Sequence, residues 1–144
     1  MRRNTMPSAG LTPSILYPGL CYENPAGAIE WLCRAFGFRK RFAATDESGT
    51  IVHAELTFDT AVIMLGPPQP DQGRVSPKHL NGVPVVLSLR VEDPDAHFAR
   101  AKAAGAVVVR ELQDEPYGSR GYMVKDPEGH LWYFGTYHPG SYWE

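Results

Sequence analysis

Apolar and polar positions along this chain fall into two alternating periods. After Asn24-Pro25 the apolar residues Ile29, Leu32, Cys33 and Phe36 form one helical stripe, and Gly37 follows as a stop. Asn is a strong N-cap and Pro suits the first helical position, so the spacing predicts a helix over 25–36. Asp93-Pro94 has the same grammar. Ala96, Phe98, Ala101 and Ala104 follow it, Gly105 stops it, and a second helix is predicted over 94–104. Period-two segments surround both helices. They predict strands at 15–22, 39–45, 50–58 and 61–65 in the first half, and at 85–91, 106–112, 121–125 and 131–136 in the second.

The two halves repeat. Asn24 and Asp93 are 69 residues apart, and Val62-Ile63-Met64-Leu65-Gly66 lies 69 residues before Leu131-Trp132-Tyr133-Phe134-Gly135. A fixed internal offset speaks to the whole architecture, whereas a motif speaks to one site. Each half reads β-α-β-β-β, so the chain is expected to be an α+β protein with two tandem βαβββ modules, 13–66 and 83–138. Pro67, Pro68, Pro70 and Pro77 mark 67–82 as a linker with little helix or strand potential.

Strand alternation assigns faces. Leu16, Pro18, Leu20 and Tyr22 are expected to face the first helix, leaving Tyr17, Gly19 and Cys21 toward a cavity. Leu87, Leu89 and Val91 repeat this in the second half, leaving Val86, Ser88 and Arg90. Over 50–58 the core side is Val52, Ala54, Leu56 and Phe58, and His53, Glu55 and Thr57 point inward. In the last strand Trp132 and Phe134 are core, with Leu131, Tyr133 and Gly135 inward.

Composition narrows the function classes. The chain has 144 residues, 43% of them hydrophobic, which is enough for a real core. The net charge is -2 and the basic residues are scattered, against the basic face that nucleic-acid binding needs. Residues 1–13 contain Arg2 and Arg3 but no apolar run, so they do not read as a signal peptide, and no segment reads as a membrane span. Cys21 and Cys33 form no CxxC pair and read as reduced core thiols of a cytoplasmic protein. No nucleophile elbow, phosphate loop or dinucleotide fingerprint is present, and Cys21 has no assigned base.

The repeat, with Tyr117-Gly118-Ser119-Arg120-Gly121-Tyr122-Met123-Val124-Lys125-Asp126-Pro127-Glu128-Gly129-His130-Leu131-Trp132 and His53-Ala54-Glu55-Leu56, resembles the glyoxalase / bleomycin-resistance / extradiol-dioxygenase (vicinal oxygen chelate) superfamily over about residues 13 to 138. The resemblance implies two modules whose curled sheets enclose a cavity, and a homodimer that pairs or swaps modules. It also implies a metal held by His and Glu on the first and last strands of each module. Those positions fall on Tyr17, Met64, Val86 and Tyr133. No His, Asp, Glu or Cys lies within two residues of any of them, so no metal and no cofactor is expected.

The expected function is metal-independent binding of a small aromatic or amphipathic compound, with Tyr17, Cys21, His53, Glu55, Met64, Ser88, Arg90, Tyr117, Arg120 and Tyr133 as ligand contacts. Tyr17 and Tyr133 would stack on a flat molecule and Arg90 would hold an anionic group. His53 and Glu55 read as an acid–base pair of a glyoxalase-like lyase or isomerase, as a ligand pair for an outside metal, or as a polar pair at a dimer seam or cavity rim. Arg90 reads equally as a ligand anchor or as the partner of Glu55 or another inward acid. Tyr117 and Arg120 read as a lid or as solvated side chains, and Trp31 or Trp132 could add aromatic area to the cavity. His130 reads as a turn residue that starts the last strand. A homodimeric interaction protein with a collapsed cavity is a third reading.

Overall fold

A computed structural model describes residues 14–143; the reading of 1–13 lies outside the described residues. In chain order the elements are β1 (Gly19–Cys21), α1 (Pro25–Phe36), β2 (Arg39–Thr45), β3 (Ile51–Phe58), β4 (Ala61–Gly66), β5 (Val86–Arg90), α2 (Pro94–Ala103), β6 (Val107–Asp114), β7 (Arg120–Lys125) and β8 (Leu131–Gly135). Asn24 Oδ1 accepts from the Gly27 N–H at 3.1 Å, and Asp93 Oδ1 accepts from Ala96 in the same way. Gly37 closes α1 at φ 92, a left-handed conformation that glycine adopts without strain. The helix expected over 94–104 ends one residue early, at Ala103.

The strands form two four-stranded sheets, ordered β1-β4-β3-β2 and β5-β8-β7-β6. The β1–β4 and β5–β8 pairs are parallel, which requires a crossover, and α1 and α2 begin those crossovers. The repeat extends to register: Gly19 faces Met64, and 69 residues later Ser88 faces Tyr133.

The helix-side faces of both sheets share one core. Leu20, Ala54, Leu56, Ile63 and Leu65 of the first sheet and Tyr122, Val124, Trp132 and Phe134 of the second are buried in it. The two helices pack on each other, and Trp31 Nε1 donates to the Ala104 carbonyl at 2.8 Å. Phe36 sits among Trp31, Trp132 and Phe134, with centroids 4.6–5.3 Å away. The space between the modules is therefore core. The sheets curl but do not close around a cavity within one chain, and their other faces point away from each other. Trp31 and Trp132 are core residues and supply no cavity wall.

Two expectations about strand phase and extent need correction. The strand expected over 15–22 forms only at 19–21, and Leu16 is 76% exposed. Thr45 pairs with Ile51 but Ala44 pairs with His53, so Val52 bulges out of the ladder and is 45% exposed, while Ile51 packs on the core in its place. A bulge adds a residue and resets the alternation.

The Asp-Pro-Glu-Gly-His turn joins the modules. Asp126 Oδ1 accepts from the N–H groups of Glu128, Gly129 and His130, and its Oδ2 accepts from Tyr22 Oη at 2.6 Å and Trp132 Nε1 at 3.1 Å. Glu128 accepts from the N–H groups of Glu23 and Asn24, where α1 begins, and from Ser76 Oγ in the linker. His130 Nε2 donates to the Cys21 carbonyl at 2.8 Å. Burial, then the adjacent Asp126, pushes the Tyr22 hydroxyl well above the usual tyrosine range.

His97, on α2, is wedged between the modules. Its Nε2 lies 2.8 Å from the Phe36 carbonyl, which only accepts, so the neutral ring carries its proton there and Nδ1 accepts from Tyr122 Oη. Burial, reinforced by the Arg100 charge, lowers its pKa from the ordinary 6.5. A group lowered in this way favours folding above its unfolded pKa, and that contribution is lost as pH falls from there through the folded value. Urea midpoints taken from about pH 8 to about pH 5 should drop below about pH 6.5, and a His97→Gln protein should show a shallower drop. Parallel pH profiles for the two proteins would contradict this.

Candidate functional site

The outward faces of the two sheets carry most of the residues expected to line a cavity. On the first sheet Phe42, Glu55, Met64 and Gly19 form one cross-strand row. His53 Nε2 lies 2.8 Å from Glu55 Oε2, and the Phe42 ring stands 6.2 Å from the imidazole. Beside them is a hollow of about 130 Å³ lined by Gly19, His53, Met64, Gly66, Gln69 and Arg74. Tyr17 is exposed just before β1, and Cys21 is buried at its end.

The second sheet presents Ser88, Tyr133, Met123 and Arg110 in one row, with Arg90, Gly135, Gly121 and Gln113 beside it. Tyr133 lies flat over the two glycines, where a Cβ at Gly121 would collide with its hydroxyl. That hydroxyl donates to Glu115 Oε2 at 3.0 Å. Arg110 grips the same carboxylate with two nitrogens at 2.8 and 3.2 Å and stands 5.7 Å from the Tyr133 ring centroid. The Arg110 fork holds the Glu115 carboxyl below the usual range, and burial pushes the Tyr133 hydroxyl up. Glu115 was not among the residues expected from sequence. It follows β6 in a turn, and only the fold brings it to Tyr133.

Ser88 and Arg90 are exposed on the second face. Arg90 forms no ion pair among the described residues, and the expected alternative partner, Glu55, bonds to His53 instead. Arg120 turns away to Asp95, which it holds at 2.9 and 3.1 Å, and to Asp114. Tyr117 lines a groove of about 580 Å³ with Ser119, Thr136, Tyr137, His138 and Tyr142.

The register shows where three of the positions implied as metal ligands fall. Met64 and Tyr133 occupy the same rung of the two sheets, and Val86 pairs with Leu131 at the end of the second. Thioether, phenol and isopropyl groups do not fit a divalent ion that takes imidazole and carboxylate, and the Tyr133 hydroxyl is already donated to Glu115. Among the described residues no three His, Cys, Asp or Glu side chains gather closely enough to hold a metal ion. No helix of the described residues is long and apolar enough to cross a membrane.

Known proteins resemble this chain in sequence or in fold. A protein of Mycobacterium bovis, Mb0911c, is 37% identical over 123 residues, covering 83% of this chain and 81% of its own. The crystal structure of TioX from Micromonospora sp. ML1 superposes with a TM-score of 0.70 at 37% identity, over 87% of this chain and 99% of that one. A glyoxalase-related enzyme from Fulvimarina pelagi shares the fold, with a TM-score of 0.68 at 18% identity over 86% and 88% of the two chains. The family model of the Glyoxalase/Bleomycin resistance protein/Dioxygenase superfamily matches residues 14–134, and the chain belongs to that superfamily.

Proposed function

We propose that the protein is a metal-independent binding protein. It holds a small, flat organic molecule between a first-sheet face and a second-sheet face brought together by a second copy of the chain. The observation that carries this reading is that both outward faces are uncovered and yet rich in apolar side chains. Phe42 is 51% exposed, Val86 40% and Val107 58%. Exposed apolar groups on a regular sheet face call for a cover. Within one chain the cover cannot be the other sheet, because the shared core lies between them. A two-fold partner supplies the second face to the first, and the first to the second. Aromatic, thioether and aliphatic walls suit a flat ligand.

Calorimetric titration with two-ring aromatic probes tests this. Saturable binding is expected, and both Phe42→Ala on the first face and Ser88→Trp on the second should weaken it by about tenfold or more, roughly 1.4 kcal/mol. No saturable binding to any probe, or binding unchanged in both variants, would overturn the reading.

A second reading, a lyase or isomerase, rests on the His53–Glu55 bond. A carboxylate only accepts, so the neutral imidazole carries its proton on Nε2 and keeps Nδ1 for a substrate proton. Chemical change of a bound compound, abolished by His53→Gln, would favour it.

A further inference from the structure

The linker is more than a spacer. Over 69–74 it folds into a tight hairpin on the first sheet's open face. The Gln69 N–H donates to the Arg74 carbonyl at 2.8 Å, and the Arg74 N–H returns to the Gln69 carbonyl at 3.1 Å. A 3-10 turn over Pro70–Gln72 fills the hairpin, and Gly73, at φ 72, closes it in a conformation that favours glycine. Pro70 fixes one backbone angle of the turn. The hairpin is thus a stiff mount for one long side chain.

That side chain is Arg74. Its Nη1 donates to Gln69 Oε1 at 2.7 Å, which fixes the plane of the guanidinium. Its Nη2 comes within 3.5 Å of where a Cβ on Gly19 would stand, so the group lies over β1. Arg74 is half-buried and forms no ion pair with any carboxylate among the described residues. It lines the hollow shared with His53, Met64 and Gly66. A guanidinium has five donors, and one neutral amide oxygen engages only one of them. A planar fork held in place beside an apolar wall is suited to a planar oxyanion, which it can grip through two parallel hydrogen bonds.

We infer that Arg74, mounted by the linker hairpin and oriented by Gln69, is the anion-recognising end of the first-sheet site, and that the ligand is an aromatic carboxylate whose ring lies on Met64. The inference rests on the binding function proposed above and adds the charge class of the ligand. Arg74 acts on binding alone; no covalent step is involved.

The test uses the full chain with 2-naphthoate and its neutral counterpart 2-naphthamide, which share a ring system and differ in charge. Calorimetry should show the carboxylate binding about tenfold tighter than the amide in the unaltered protein, the scale of a charge-assisted bond. Arg74→Gln should abolish that preference and leave amide affinity within about twofold, and Arg74→Lys should restore part of it. Raising salt should weaken the carboxylate only. Equal affinity for the two probes in the unaltered protein would overturn the anion site and leave the binding function standing. So would a preference that survives Arg74→Gln and disappears in Arg90→Gln, which would assign the anion to the second sheet. Failure of both probes to bind would overturn the anion site and the binding function together.

Discussion

An Asp126→Ala protein is expected to lose about 3–5 kcal/mol of folding stability, the sum expected when two buried donors and a turn lose their acceptor. Asp126 is 3% exposed and its two oxygens serve five donors. Three of these are backbone N–H groups that shape the β7–β8 turn, which alanine leaves without their side-chain partner. The other two, Tyr22 Oη and Trp132 Nε1, are buried on the first and second modules. With the carboxylate gone both lose their acceptor inside the core, and an orphaned buried donor costs about 1–3 kcal/mol. Asp126→Asn should fall between, because the amide keeps one accepting oxygen but presents N–H groups to one of the two sides. Urea unfolding followed by tryptophan fluorescence measures this. An alanine variant within about 0.5 kcal/mol of the unaltered protein, the range of ordinary surface changes, would contradict it.

A Phe36→Ala substitution is expected to cost a similar amount, about 3–5 kcal/mol. The ring is fully buried at the end of α1 and touches aromatic groups from both modules: Trp31 on its own helix and Trp132 and Phe134 on the second sheet. Deleting it removes the transfer free energy of the ring and leaves a cavity walled by rigid aromatics and two helices, which cannot collapse to fill it. Phe36→Leu refills most of the volume and should cost less, about 1–1.5 kcal/mol. Because the ring sits where the modules meet, its loss should lower one cooperative unfolding transition for the whole chain. Two separated transitions, with only the first module destabilised, would show that the modules fold independently.

Local chemistry was legible in the sequence, and long-range placement was not. The two helices could be read because Asn24-Pro25 and Asp93-Pro94 cap their own chain within three residues, and the 69-residue offset carried that reading to sheet register. Alternation put His53 with Glu55, and Ser88 with Arg90 and Tyr133, each group on one face of its sheet, as the rows have it, but those faces turn outward and not inward to a cavity within the chain. Val52 escaped alternation because a bulge shifts phase, and nothing in Thr50-Ile51-Val52-His53 announces it. The direction in which the sheets face was also out of reach, since it depends on α1 packing on α2, a contact made across more than sixty residues. Glu115 and Arg74 were missed for a related reason. Both sit in loops, where no period assigns a face, and both reach the site only through the turn or hairpin that carries them. The Asp-Pro-Glu-Gly-His turn was legible as a motif, and its acids join the modules at the start of α1.

The most direct test of the account is native mass spectrometry of the full chain at micromolar concentration, with and without a saturating aromatic carboxylate. A species of twice the 15.9 kDa chain mass is expected, taking up the ligand while staying dimeric, with loss of both dimer and bound ligand on Val86→Glu, which places a charge on the face to be covered. A monomer that binds the ligand as tightly as the unaltered protein does, or a dimer unaffected by Val86→Glu that binds nothing, would contradict it.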